Sequence, residues 1–79
     1  MNMVSDLSEP VELHFWPPSF KIMVQQKLSR GQEMIDIRSW VKWNTDGAFH
    51  PGRNGMMVEK KVFKDSILPK LNAMFTSNA

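Results

Sequence analysis

The sequence predicts an α+β fold, a four-stranded antiparallel sheet followed by one C-terminal helix. Three observations lead there. Apolar residues recur at every second position in stretches between Val11 and Val41, the Arg30-Gly31 pair joins the two longest of these, and after Glu59 the period becomes that of a helix.

Residues 1–10 are polar and without periodicity, which reads as a flexible acidic leader; the domain proper is expected over residues 11–76. "VELHFW" alternates Val11, Leu13 and Phe15 with Glu12, His14 and Trp16, the pattern of a half-buried strand, and Pro17-Pro18 ends it. In "SFKIMVQQKLS" Phe20, Ile22, Val24 and Leu28 share one face, with Lys21, Met23, Gln25, Lys27 and Ser29 on the other. Arg30-Gly31 supplies a tight turn because glycine tolerates positive φ. "QEMIDIRSWV" then sets Ile35, Ile37 and Val41 against Met34, Asp36, Arg38 and Trp40. A polar, turn-rich loop containing "HPGRNG" leads to a short fourth strand, "MMVE".

The helix is expected over residues 60–75. At about 100° per residue Phe63, Ile67, Leu68, Leu71, Met74 and Phe75 fall within an arc of about 140°. That arc is wider than a small sheet covers, so a second copy of the helix is expected against it, making a homodimer. Pro69 removes a hydrogen bond and meets the carbonyl of Asp65, predicting a kink or break there.

Composition narrows the function. Seventy-nine residues make one domain, and a chain of that size buries only roughly 60% of its unfolded surface, so association is expected. Without cysteine there is no disulfide, thiolate metal site or cysteine nucleophile. No basic segment followed by an apolar run opens the chain, and no apolar run is long enough to span a membrane, so a soluble intracellular protein is expected. Charge is uneven: residues 1–19 carry −3, residues 20–55 carry +3 and residues 56–79 carry +2, for a net +2. A basic, aromatic-rich middle behind an acidic start suits a polyanionic partner.

With the Ile face expected under the helix, Lys21, Gln25, Lys27, Arg38 and Trp40 look outward. Cations beside an aromatic suit single-stranded nucleic acid, phosphates meeting the cations and unpaired bases stacking on rings. The plainer alternative is a solvated face with Arg38 paired to Asp36. In "HPGRNG", Gly52 and Gly55 admit close approach of a ligand and Arg53 offers a forked donor, unless the loop is an ordinary turn. Trp40, Trp43 and Phe49 serve either as stacking platforms or as core. His14 and His50 are isolated, so no metal is expected. Glu33, Asp36, Asp46 and Glu59 are scattered and pair with no nucleophile, so neither catalysis nor a cofactor is expected.

The order of the pieces, "KLSRG", "IDIR" at residues 35–38, aromatics, "PGRNG" at residues 51–55, a short strand and one helix, resembles the positive cofactor four family of single-stranded-DNA-binding transcriptional coactivators. The resemblance covers residues 20–75. It implies a curved four-stranded sheet that dimerises through its helices, so that two sheets form one groove for single-stranded or melted DNA. Carried over by position, Arg38 and Arg53 match the motif arginines, Arg30 the basic residue of the hairpin turn and Lys27 a basic strand position. With Lys21, Trp40, Lys42, Trp43 and Phe49 these make the expected nucleic-acid surface. Three departures stand out. Ser29 replaces a stacking aromatic, Asn54 replaces a lysine, and a loop about one residue longer leaves open whether Trp40 or Trp43 matches the motif aromatic. A bacterial or phage version is expected, working in the cytoplasm or nucleoid (a eukaryotic one would be nuclear), with replication or recombination proteins as possible partners alongside transcription proteins. The competing reading is a small protein-interaction adaptor dimer whose basic face only solubilises it.

Overall fold

Alternation along the chain produces one antiparallel sheet in the computed structural model, which describes residues 4–43 and 47–76. Its strands are β1 (Val4–Asp6), β2 (Val11–Trp16), β3 (Phe20–Ser29), β4 (Gln32–Lys42) and β5 (Phe49–Glu59), in the order β1-β3-β4-β5 with β2 also on β3. The strands number five where four were expected. The extra one comes from the leader: β1 lies against residues 27–29 and β2 against residues 20–24, so the two share one edge of β3. Between them the Leu7 amide donates to the Gln26 carbonyl at 2.8 Å, and the Gln26 amide donates to the Ser8 hydroxyl oxygen at 3.1 Å. Polar side chains hid this pairing because backbone groups carry it.

The β3–β4 hairpin turns at Arg30 and Gly31, with φ of 54° and 79°. Positive φ at both central positions gives the backbone twist that matches two right-twisted strands. β5 is also longer than expected. "FHPGRNG" is strand, and Pro51 is tolerated because β5 is an edge, where a missing N–H costs no ladder bond.

After Glu59 the chain continues as one helix in three parts: α1 (Lys60–Val62), a π-helical turn at Phe63–Ile67, and α2 (Leu68–Thr76). The backbone stays helical through both joins, with φ and ψ of −59° and −48° at Phe63 and of −61° and −44° at Leu68. No break occurs at Pro69. The wider turn, in which the Leu68 amide donates to the Phe63 carbonyl, lies just before the proline and makes room for its ring.

The helix does not cover the sheet as expected. Its main contact is the first turn against β4, where Lys60 Nζ lies 3.4 Å from Glu33 Oε1 and reaches on to donate to Gln26 Oε1 of β3 at 2.9 Å. The molecule is therefore a slab of 44 × 38 × 18 Å. Among the described residues no hydrophobic side chain is fully buried; the two buried residues are polar, Asp36 at 4% exposure and Ser39 at 7%. A single sheet without a second layer has no closed core.

Candidate nucleic-acid interface

Side chains alternate across a pleated sheet, so the register assigns the faces. Lys21, Trp40 and Pro51 stand in one row, Met23, Arg38 and Gly55 in the next, then Gln25, Asp36 and Met57, then Lys27, Met34 and Glu59. Lys42 opposite Phe49, and Phe15 opposite Lys21, extend this face at the end away from the hairpin turn. The structure thus brings Lys21, Lys27, Arg38, Trp40, Lys42 and Phe49 onto one surface. The other face carries Ile22, Val24, Ile35, Ile37, Val41, Met56 and Val58.

Two expected members lie elsewhere. Arg30 sits at the hairpin tip, at the other end of β3 from Lys21. Trp43, 52% exposed, stacks on His50 with ring centroids 4.2 Å apart, and His50 pairs with Val41 of the apolar face. Trp40, by contrast, is half-buried among the cations.

The cationic face is interleaved with acids. Lys21 lies 3.1 Å from Glu12, and Lys27 lies 3.6 Å from both Asp6 and Asp36. The Lys21 ammonium also sits 4.3 Å from the centroid of the Phe49 ring and 5.5 Å from that of Phe15, a cation held between two π faces. Arg30, Lys42 and Arg53 have no ion pair or hydrogen bond from their side chains among the described residues.

Arg38 is the most committed cation. Its Nε donates to both oxygens of Asp36 at 2.9 Å, Nη2 lies 2.9 Å from Oδ1, and Nη1 donates to the Gly52 carbonyl at 3.0 Å. Bonding to Asp36 raises its pKa further, against the opposing effect of burial, so it stays charged at any working pH. The Gly52 carbonyl belongs to a bulge. While β4 advances from Arg38 to Trp40, β5 passes from Gly55 to Pro51, so Gly52, Arg53 and Asn54 stand opposite Ser39 alone. Ser39 Oγ donates to the Asn54 carbonyl at 3.2 Å. A side chain at position 55 would collide with the Arg38 Cβ and the Ile37 carbonyl. The room that glycine leaves here is filled by the protein's own β4 rather than by a ligand.

Sequence reasoning assigned no part of this surface to Asp6, Glu12 or Phe15. The first two sat in a segment read as separate or as plain alternation. Phe15 was placed with Val11 and Leu13, but an irregularity between Glu12 and His14 reverses the parity and turns it toward Lys21. Among the described residues no three His, Asp or Glu side chains are placed to share a metal, and no helix is long and apolar enough to cross a membrane.

A single open antiparallel layer with a cationic, aromatic face and one C-terminal helix agrees with the architecture implied by the motif resemblance. The chain shares this fold with the crystal structure of a PC4 (positive cofactor four) homolog from Burkholderia pseudomallei, at a TM-score of 0.60 and 22% identity over 92% of each chain. No protein-family profile and no curated protein matches it.

Proposed function

We propose that this chain is a non-catalytic, largely sequence-independent single-stranded-DNA-binding protein of the positive cofactor four kind, acting in transcription or in DNA replication or recombination. The observation that carries the reading is the gathering of Lys21, Lys27, Arg38, Trp40, Lys42 and Phe49 on one sheet face, with Arg53 exposed in the β5 bulge next along the chain from Pro51 and Gly52. Fold likeness to a PC4 homolog supports it. Phosphates meet the cations and bases stack on Trp40 and Phe49; Arg30 extends the contact to the hairpin tip, while Trp43, stacked on His50 just past the end of β4 on the opposite face, takes a lesser part. Duplex DNA hides its base faces and binds this surface less well.

The protein works as a homodimer joined through the helix. Without a fully buried apolar side chain among its described residues, one protomer lacks the second layer that a stable domain requires. Phe63, Ile67 and Leu71 are half-covered, whereas Leu68, Met74 and Phe75 are exposed. Two protomers would also join their sheets into one groove.

Binding of labelled oligo-dT across a salt series tests the reading. The affinity falls steeply as salt rises, because neutralised phosphates release counterions. Arg53→Ala lowers that slope by about 0.7, the share of one phosphate contact on a single strand. A wild-type protein that ignores oligo-dT at low salt returns the adaptor reading to first place.

A further inference from the structure

An acid stands at the centre of the basic face. Asp36 is the most buried residue described, at 4% exposure, and it has no counterpart among the contacts that a polyanion needs. We infer that Asp36 is a positioning residue: acting through Arg38, it holds the β5 bulge so that Arg53 faces the nucleic acid. The inference rests on the single-stranded-DNA reading above.

A chain of short contacts carries it. Asp36 grips Arg38 through Nε and Nη2, each at 2.9 Å, which fixes the plane of the guanidinium. So oriented, Nη1 reaches the Gly52 carbonyl at 3.0 Å, next to Arg53 in the chain. Ser39 fastens the other side of Arg53 by donating to the Asn54 carbonyl at 3.2 Å. Arg53 is left between two anchored peptide groups, its side chain without a partner among the described residues. An edge strand with a three-residue bulge has no ladder of its own there to hold it. Lys27, 3.6 Å from the same carboxylate, receives the second share of its charge. A lysine at position 38 keeps the charge and loses the forked geometry, so it does not replace the arginine.

The consequence runs against simple electrostatics. Removing an acid from a surface that binds a polyanion strengthens binding, and Glu12→Gln, which frees Lys21, is expected to do so. Asp36→Asn removes the same charge from the same face and is expected to do the opposite.

The experiment measures oligo-dT affinity and salt slope for wild type, Glu12→Gln, Asp36→Asn, Arg53→Ala and the Asp36→Asn/Arg53→Ala double variant, each checked for folding by circular dichroism. The expected result is that Asp36→Asn weakens binding about as much as Arg53→Ala, lowers the slope by about 0.7, and adds nothing when Arg53 is already gone. Amide hydrogen exchange over residues 52–55 should quicken in Asp36→Asn. If that variant fails to fold, Arg38→Lys is read in the same cycle with the same expectation. Asp36→Asn or Arg38→Lys binding as tightly as wild type, or losses that add in the double variant, overturn the inference. If Arg53→Ala alone has no effect, the inference falls with it, whereas a wild type that does not bind oligo-dT refutes the underlying reading.

Discussion

Replacing Phe75 by glutamate probes the proposed dimer at the point where the protomer has least to lose. Phe75 is 77% exposed and Met74 70% exposed in the single chain, so neither stabilises the protomer that carries it. Full burial of such a side chain contributes about 1.5 to 3 kcal/mol. At the observed exposure, association recovers about 1 to 2 kcal/mol from each Phe75, and a twofold contact doubles that to about 2 to 4 kcal/mol. Glutamate forfeits this and brings two carboxylates out of water near each other. With 1.4 kcal/mol per factor of ten, the dimer Kd rises by about 30- to 700-fold before the charge penalty is counted. Sedimentation velocity over a concentration series reads this directly, wild type running at twice the 9.2 kDa protomer mass. Oligo-dT affinity should fall in step, although every Lys and Arg is intact. Leu68→Glu, at the residue that directly follows the π-helical segment, should behave alike. A Phe75→Glu protein with an unchanged dimer Kd, or a wild type that is monomeric throughout, would refute the helix-mediated dimer.

Arg30 holds φ of 54°, a left-handed conformation that costs arginine more than asparagine. Arg30→Asn should stabilise the protein by about 0.5 to 1 kcal/mol, raising Tm by about 2 to 8 °C, while weakening oligo-dT binding; a lower Tm contradicts the turn argument, and unchanged affinity removes Arg30 from the surface. Single-tryptophan variants separate the two faces: Trp40 alone should be quenched by oligo-dT and Trp43 alone much less. A quenched Trp43 with a silent Trp40 would move the site to the opposite face.

Most of the fold was legible because long alternation is a strong signal. β3 and β4 form the hairpin as read, and the register that the structure adds, Lys21 with Trp40 and Lys27 with Met34, keeps the expected faces, since slipping by one would turn Ile22, Val24, Ile35 and Ile37 to the wrong side. What escaped has physical causes. β1 is held by backbone groups, which composition does not display. β5 absorbs "PGRNG" as a bulge, a strand feature written in turn residues. The helical wheel assumed about 100° per residue throughout, but the π-helical turn at Phe63–Ile67 slows the rotation, so residues on either side no longer share one arc. That Phe63, Ile67 and Leu71 are half-covered while Leu68, Met74 and Phe75 are not follows from three-dimensional packing alone.

The grouping of cations that makes the candidate site was legible in the sequence, and its electrostatics less so. Sequence spacing put Lys21, Lys27 and Arg38 on a common face, and even raised the pairing of Arg38 with Asp36. It could not place Glu12 and Asp6 beside the lysines, because those contacts depend on the register of β1 and β2 along β3. The difference has a measurable consequence. When a phosphate meets Lys42, which has no acidic partner among the described residues, the DNA releases a counterion and nothing on the protein takes one up. When a phosphate meets Lys21 it displaces Glu12, and the freed carboxylate gathers cations that partly cancel the release. Lys42→Ala should therefore lower the salt slope for oligo-dT by about 0.7, the value for one phosphate contact on a single strand, and Lys21→Ala by clearly less. Affinity titrations at four or five salt concentrations resolve that difference. Equal slope changes for the two variants would mean that Glu12 does not hold Lys21 in solution, and the acids would then have no part in setting how tightly this face binds.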